Sequence, residues 1–418
     1  MTPASSPGVE RAPRVELTGA NLLRAIAVLA VIYSHISFYL IDDLGDGWWL
    51  IDGVYAVFVE GLGLNQHLSF VGVAIFMVLT GAVITRSAIR HAPGRFLLDR
   101  IGRLLPAFWV AIAAAILLVR FGINGMFSGQ QGVSNVEAAL SFVLGGFFLK
   151  PEVAVLGVTW TLVVQVLFYV YCVAMRPVLR TRPVAVPLVG AAACALVLLY
   201  NLYAPHPYTV PMLSKVAATL PAVFLGQLMY LWWARLTTWR WIVVGVLAQI
   251  EVVRLATDIR VYWAGDRYLW TITAVTVLVV ALGRWRGSPT RWTVVRWTAT
   301  RSYAIYLVHT LILYRVYENA VGPLGRTGAV VAFLVVTALV SEALYRWVEV
   351  PAARWLTERT RRGATTSTQP TQPTEPTGRT EPAGPRSPLT IRWRTATARS
   401  IGLCLGSMTS SPLPVRNP

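Results

Sequence analysis

The amino-acid sequence predicts an all-α fold, a polytopic membrane helical bundle of about ten transmembrane helices with both termini cytoplasmic. Three observations predict it. Apolar residues fill 55% of the 418 positions and charged residues only 13%, about half the charged share of a soluble globular chain. The mean hydropathy is +0.57. Apolar runs of roughly twenty residues, the length that crosses a ~30 Å hydrocarbon core, recur along the chain between short polar loops. This composition excludes a chain disordered over most of its length and a cytosolic enzyme of ordinary type.

Taken in order, the spans read as 20–41, 67–86, 103–121, 158–176, 184–203, 212–232, 241–257, 268–284, 299–318 and 327–348. The run 136–149 (VEAALSFVLGGFFL) is too short to span and reads as an interfacial or re-entrant helix. The first run is too long for the apolar part of a cleaved signal peptide. Arginine placement supports this count. With the N-terminus inside, inner segments hold Arg86, Arg90, Arg95, Arg100 and Arg103, then Arg176, Arg180 and Arg182, then Arg235 and Arg240, then Arg284, Arg286, Arg291, Arg296 and Arg301. The first outer loop holds Asp42, Asp43, Asp46, Asp52 and Glu60 with no Arg or Lys. The loop at 258–267 is mixed. A spanning 136–149 would invert every later loop and break the rule.

The net charge of +18 comes almost wholly from arginine, since Lys150 and Lys215 are the only lysines. The arginines of the loops fall mostly on one side, the pattern of a membrane protein rather than of a nucleic-acid binder. The three cysteines, Cys172, Cys194 and Cys404, have no spacing that suggests a disulfide framework or metal site. Residues 363–390 are rich in Thr, Pro and Gly and read as a disordered tail. The domain expectation is a cytoplasmic segment 1–16, a transmembrane domain 17–357 and a cytoplasmic tail 358–418.

Ionisable side chains at membrane depth are costly, so each marks a possible site. Arg24 and His35 lie eleven positions apart on the first span. That spacing ends about 20° past three full helical turns, so the two side chains share a face some 16 Å apart. That face is expected to line an internal cavity. Arg100 and Arg103 share a helix face three residues apart, suited to phosphate or carboxylate or to simple inner-surface anchoring. On the fourth span Trp160, Gln165 and Tyr169 are polar-capable, and Gln165 and Tyr169 share a face. Ser302, Tyr306 and His309 form a polar stripe on the ninth span. Interhelical hydrogen bonding accounts equally well for both of these sets. Glu251 with Arg254 and Glu342 with Arg346 read as internal charge neutralisation. No GxxxxGK[ST], dinucleotide-binding glycine fingerprint, HExxH or CxxC occurs, so any chemistry belongs to the bundle itself.

Six stretches resemble the acyltransferase-3 family of integral membrane proteins. LTGANLLRAIAVLAVIYSHI resembles its opening segment, with an Arg and a His separated by ten residues (Arg24, His35). VGVAIFMVLTGAVITR resembles its second-span motif and RFLLDRIGRLLPAFW its Arg-x-x-Arg segment (Arg100, Arg103). TWTLVVQVLFY, SYAIYLVH and YRWVEVP (Glu349, Pro351) resemble its fourth-span, penultimate-span and closing segments. The likeness covers roughly 17–355 in the expected order. Two positions depart from the family's pattern, because acidic residues are common where this chain has Ala74 and Gln165.

The resemblance implies an O-acyltransferase of the plasma membrane with acyl-CoA as donor substrate and no bound cofactor or metal. The acceptor would be a hydroxyl of a sugar, cell-envelope glycan or natural product. Arg86, Arg100 and Arg103 would bind the donor's phosphates, and Arg24 would sit at the inner mouth of the cavity. His35 would act as general base, since an imidazole with a pKa of about 6.5 is mostly neutral at pH 7. Trp160, Gln165, Tyr169, Ser302 and His309 would contact substrate or the oxyanion. Asp42, on a similar face to His35, is one replacement for the missing carboxylates. A transporter or flippase, or a catalytically degenerate relative, is the competing expectation.

Overall fold

The computed structural model describes residues 15–123, 132–149, 155–205, 208–261 and 267–366. Most of segment 1–16, Lys150, Cys404, much of the 258–267 loop and the Thr/Pro-rich tail lie outside the described residues. Among the described residues the fold is all-helical, without strands. The helices are α1 (Ala20–Phe38), α2 (Trp49–Val54), α3 (Val71–Arg90), α4 (Pro93–Arg120), α5 (Asn135–Phe142), α6 (Gly146–Leu149), α7 (Thr159–Ala174), α8 (Arg176–Thr181), α9 (Ala185–Tyr203), α10 (Pro211–Trp233), α11 (Trp239–Asp258), α12 (Tyr268–Gly283), α13 (Thr293–Thr300), α14 (Ser302–Leu344) and α15 (Val350–Thr366).

Local sequence accounts for several boundaries. Pro93 and Pro211 occupy first-turn positions, where the missing N–H costs nothing. At α5 the Ser134 hydroxyl accepts from the Glu137 amide, and the Glu137 carboxylate accepts from the Ser134 amide. Leu144, in the left-handed region at φ 60°, then separates α5 from the short α6. The stretch 136–149 is therefore two short helices, neither of spanning length.

Six helical stretches among the described residues are long and apolar enough to cross a membrane: Ala20–Asp43, Gln66–Arg90, Pro93–Arg120, Ala185–Tyr203, Pro211–Trp233 and Ser302–Arg359. The chain is a multi-pass membrane protein. The other expected spans differ in physical ways. α7 and α12 are apolar but shorter. α11 carries Arg240, Glu251, Arg254 and Asp258. α14 is one 43-residue helix interrupted at Gly325, whose φ of 67° and ψ of 175° are not helical. That conformation favours glycine and divides α14 into two arms at the position where the sequence suggests two spans.

The core is built on α3 and α10, both mostly buried. Gly81 and Gly226 let these backbones touch. A Cβ at Gly81 would lie 1.8 Å from the Val223 carbonyl oxygen, and one at Gly226 would lie 1.9 Å from that of Val78. Small residues at a membrane helix crossing permit this close approach. α1 packs on α3, α13 and α14 and delivers its polar face to the bundle interior.

Candidate functional site

The site begins on α1. Arg24, in the second turn, lines a cavity of about 420 Å³. The cavity wall includes Thr80 of α3, Thr161 and Gln165 of α7, and Ser302 and Tyr306 of α14. Residues from four helices thus converge there, and Gln165 and Ser302 lie in the wall with Arg24.

His35 is not among the cavity's lining residues. It meets His309, with ring centroids 4.9 Å apart at 62°. The shared face of Arg24 and His35 therefore runs from the cavity at Arg24 to a second histidine at His35. Tyr306 packs between the two regions, its ring 5.9 Å from His309 and 6.1 Å from Phe76. The Thr161 hydroxyl donates to the Val158 carbonyl at 3.0 Å. Its one proton is thereby used, so the Tyr306 hydroxyl donates to Thr161 Oγ1 at 2.8 Å.

His309 is fully buried, and its Nδ1 lies 3.1 Å from the Ile305 carbonyl oxygen and 3.0 Å from that of Tyr306. Carbonyls only accept, so Nδ1 carries the proton. Nε2 is then a buried acceptor without a partner. Helix backbone geometry alone fixes this tautomer.

The other predicted residues divide. Tyr169 donates to Gln165 Oε1 at 3.4 Å, confirming their shared face. The charge of Arg100 acts on Tyr169, and Arg100 Nη2 donates to Ser87 at 2.9 Å. Arg86 and Arg100 each keep a buried Nε without a partner, whereas Arg103 is exposed. Trp160 is outside the cavity wall and carries the Lys215 ammonium over its ring at 4.7 Å.

Asp42 does not reach toward His35. Its Oδ2 lies 3.4 Å from His67 Nε2, and His67 Nδ1 lies 2.8 Å from Ser37 Oγ. His67 and Leu68 both adopt left-handed backbone, φ 55° and 51°. Such strain persists only where surrounding contacts impose it. The cluster fastens the end of α1 to the segment before α3, and Ser37 is buried to 1%. His67 opens the expected second span, 67–86, but the structure places it in the turn before α3, and the sequence pattern assigns it no role.

Two charge pairs also differ from expectation. Glu251 and Arg254 are exposed, not internal, and Arg254 also reaches Asp258 at 2.8 Å. Glu342 accepts from Arg346, from Arg301 and from Trp297 Nε1 at 2.8 Å. The Arg301 guanidinium lies 4.6 Å over the ring of Tyr345, a cavity-wall residue. This network braces α13 against both ends of α14.

The fold is a membrane helical bundle with a cavity lined by both polar and apolar residues and a histidine pair nearby. The acyltransferase-3 model, an acyltransferase domain, matches residues 17–346, and the chain belongs to that family. It is a membrane O-acyltransferase that transfers groups other than aminoacyl groups. Its chemistry requires an acyl donor and a hydroxylated acceptor.

"Nodulation protein 10" of Rhizobium leguminosarum bv. viciae is 26% identical over 377 residues, spanning 82% of this chain and 95% of that protein. "Putative peptidoglycan O-acetyltransferase YrhL" of Bacillus subtilis (strain 168) is 23% identical over 380 residues, 80% of this chain. This chain spans only 54% of that relative's length. No solved structure matches the chain significantly.

Proposed function

We propose that the chain moves an acyl group, typified by acetyl, from acyl-CoA to a hydroxyl of a sugar, a cell-envelope glycan such as peptidoglycan, or a natural product. The observation that carries this reading is the His35–His309 pair beside a cavity walled by Arg24, Gln165 and Ser302. The peptidoglycan option draws support from the name of the Bacillus relative.

The proposed topology is ten passes in the plasma membrane with both termini cytoplasmic, forming one transmembrane domain over 17–357. α7, α11, α12 and the second arm of α14 complete the count, and the arginine asymmetry of the loops supports the orientation. The donor enters from the inner side. Arg86 and Arg100, with Arg103 at the surface, attract its phosphates. The pantetheine arm extends past Arg24 into the cavity.

His35 removes the acceptor's hydroxyl proton, and the oxygen attacks the thioester carbonyl. The CoA thiolate leaves. Gln165 and Ser302 present an amide and a hydroxyl to the oxyanion from the cavity wall. Tyr169 orients Gln165 by bonding its carbonyl oxygen, which turns the amide nitrogen outward from that contact. His309 Nε2 orients the His35 ring, taking the part that a carboxylate plays where the family has one. Trp160 lies at the Lys215 contact and belongs to the periphery of the acceptor route.

Membranes expressing wild type or His35→Ala, incubated with labelled acetyl-CoA and envelope extract, test the reading. Label appears on an extract component with wild type and not with the variant. Equal labelling by both sinks the mechanism.

A further inference from the structure

The inner end of the bundle concentrates polar groups that no protein partner satisfies. Arg86, near the end of α3, has a buried Nε without a partner, as do Arg100 on α4 and Arg176 on α8. Tyr230 on α10 is 2% exposed with an unpartnered hydroxyl, and Gln227 is fully buried with both amide atoms unpartnered. Gln227 and Tyr230 are three residues apart and share a helix face. Buried polar groups are almost always hydrogen-bonded, so such a group calls for a water, an ion or a ligand.

These groups belong to elements that meet. The Gly81–Gly226 crossing presses α10 onto α3. The charges of Arg86 and Arg90 act on Tyr230. Arg100 is tied to α3 through Ser87, next to Arg86. α8, which Arg176 opens, packs against α3. None of Arg86, Arg100 and Arg176 has a carboxylate within ion-pair distance among the described residues. Asp99 acts on Arg100 from beyond ion-pair distance, and guanidinium groups with so little counter-charge are costly at a helix junction unless an anion completes them.

We propose that Arg176 and Tyr230, with Arg86 and Arg100, form an anion site between α3, α4, α8 and α10 that holds the phosphates of the donor. Arg176 and Tyr230 are residues the sequence motifs do not single out for this role. Fixed guanidinium forks suit phosphate oxygens, and a phenolic hydroxyl adds a neutral donor. The depth of Gln227 and Tyr230 favours a ligand that enters the bundle over a headgroup resting on it. The inference rests on the acyl-CoA reading above.

The test uses the full chain in phosphatidylcholine nanodiscs, with coenzyme A and phosphate-free pantetheine titrated calorimetrically. Arg176→Gln and Tyr230→Phe each weaken coenzyme A binding about ten-fold or more, as expected for loss of one hydrogen bond to a charged group. Pantetheine binding stays unchanged. Arg240→Gln, which removes an exposed charge at the same membrane face, shifts coenzyme A affinity less than about two-fold.

Wild-type affinity for coenzyme A in both site variants, with wild-type transfer of labelled acetyl intact, overturns the site and leaves the donor reading standing. Wild-type protein that neither prefers coenzyme A to pantetheine nor transfers label overturns both. Displacement of coenzyme A by phosphatidylglycerol added to the discs assigns the arginines to lipid headgroups and also overturns the proposal.

Discussion

Replacing His309 by Phe isolates the histidine pair. The ring and most of its volume remain, while the Nε2 acceptor beside His35 disappears. The ring centroids lie 4.9 Å apart, and Nε2 is a buried acceptor without a hydrogen-bond partner. A hydrogen bond to that acceptor from the imidazolium that His35 becomes during transfer is worth about 1.5–3 kcal/mol, which corresponds to roughly a 13–160-fold loss of kcat. Removing a general base, the role proposed for His35, costs about 10²–10⁴-fold, so His35→Ala is expected to be more severe than His309→Phe. Phe also loses the Nδ1–H bonds to the Ile305 and Tyr306 carbonyls. These carbonyls keep their helical partners, so the fold is retained. The assay is single-turnover transfer from labelled acetyl-CoA in purified membranes, with folded protein quantified by fluorescence size-exclusion. A His309→Phe variant within about two-fold of wild type refutes orientation of His35 by His309. Losses equal to those of His35→Ala place the proton-accepting step on the pair rather than on His35 alone.

Tyr306→Phe removes the hydroxyl bonded to Thr161 and leaves the ring, packed on Phe76 and His309, unanchored. The expected result is uncoupled hydrolysis of labelled acetyl-CoA rising relative to transfer, read as free acetate against product; an unchanged ratio rejects a separating role for Tyr306. Gly81→Leu forces apart the α3–α10 crossing, at a cost of about 1–3 kcal/mol or more, and should lower the thermal midpoint in detergent; an unaltered midpoint contradicts the crossing. Glu342→Gln weakens the attachment of Arg301, Arg346 and Trp297, and its loss should register as faster limited proteolysis at the α13–α14 junction, with protection equal to wild type counting against a bracing role.

Much of the architecture is legible in the sequence because membrane helices announce themselves through length and hydropathy. Within a helix, period 3.6 fixes which residues share a face, as for Gln165 and Tyr169. What periodicity cannot supply is the pairing between faces. The contact of His35 with His309 joins helices 274 positions apart in sequence and depends on how α1 leans on α14. The partnership of Asp42 with His67 is illegible for a related reason. It requires left-handed backbone at His67 and Leu68, and no local residue pattern indicates that conformation there. Arg103 shows the limit of the helical rule itself. It shares a nominal face with Arg100, but only Arg100 reaches the α3 interface, because the third residue in that register points outward.

The two missing carboxylates are not equivalent, and the structure separates them. Ala74 is fully buried on α3 and absent from the cavity wall, which Val73, Phe76, Met77 and Thr80 supply instead. A carboxylate at 74 would enter the apolar core cluster of α3, at a cost of several kcal/mol if left charged and unpaired. Gln165 already faces the cavity and accepts from Tyr169. Gln165→Glu preserves that accepting oxygen and adds charge where Arg24 also lines the wall, so the variant should fold and bind donor as wild type does. Its transfer rate should fall, because a carboxylate has no N–H for the oxyanion. Gln165→Ala should fall equally. Ala74→Glu should instead lose folded protein. A faster Gln165→Glu enzyme would show that charge near the cavity, rather than an amide donor, limits the rate, and would move the oxyanion contact to Ser302.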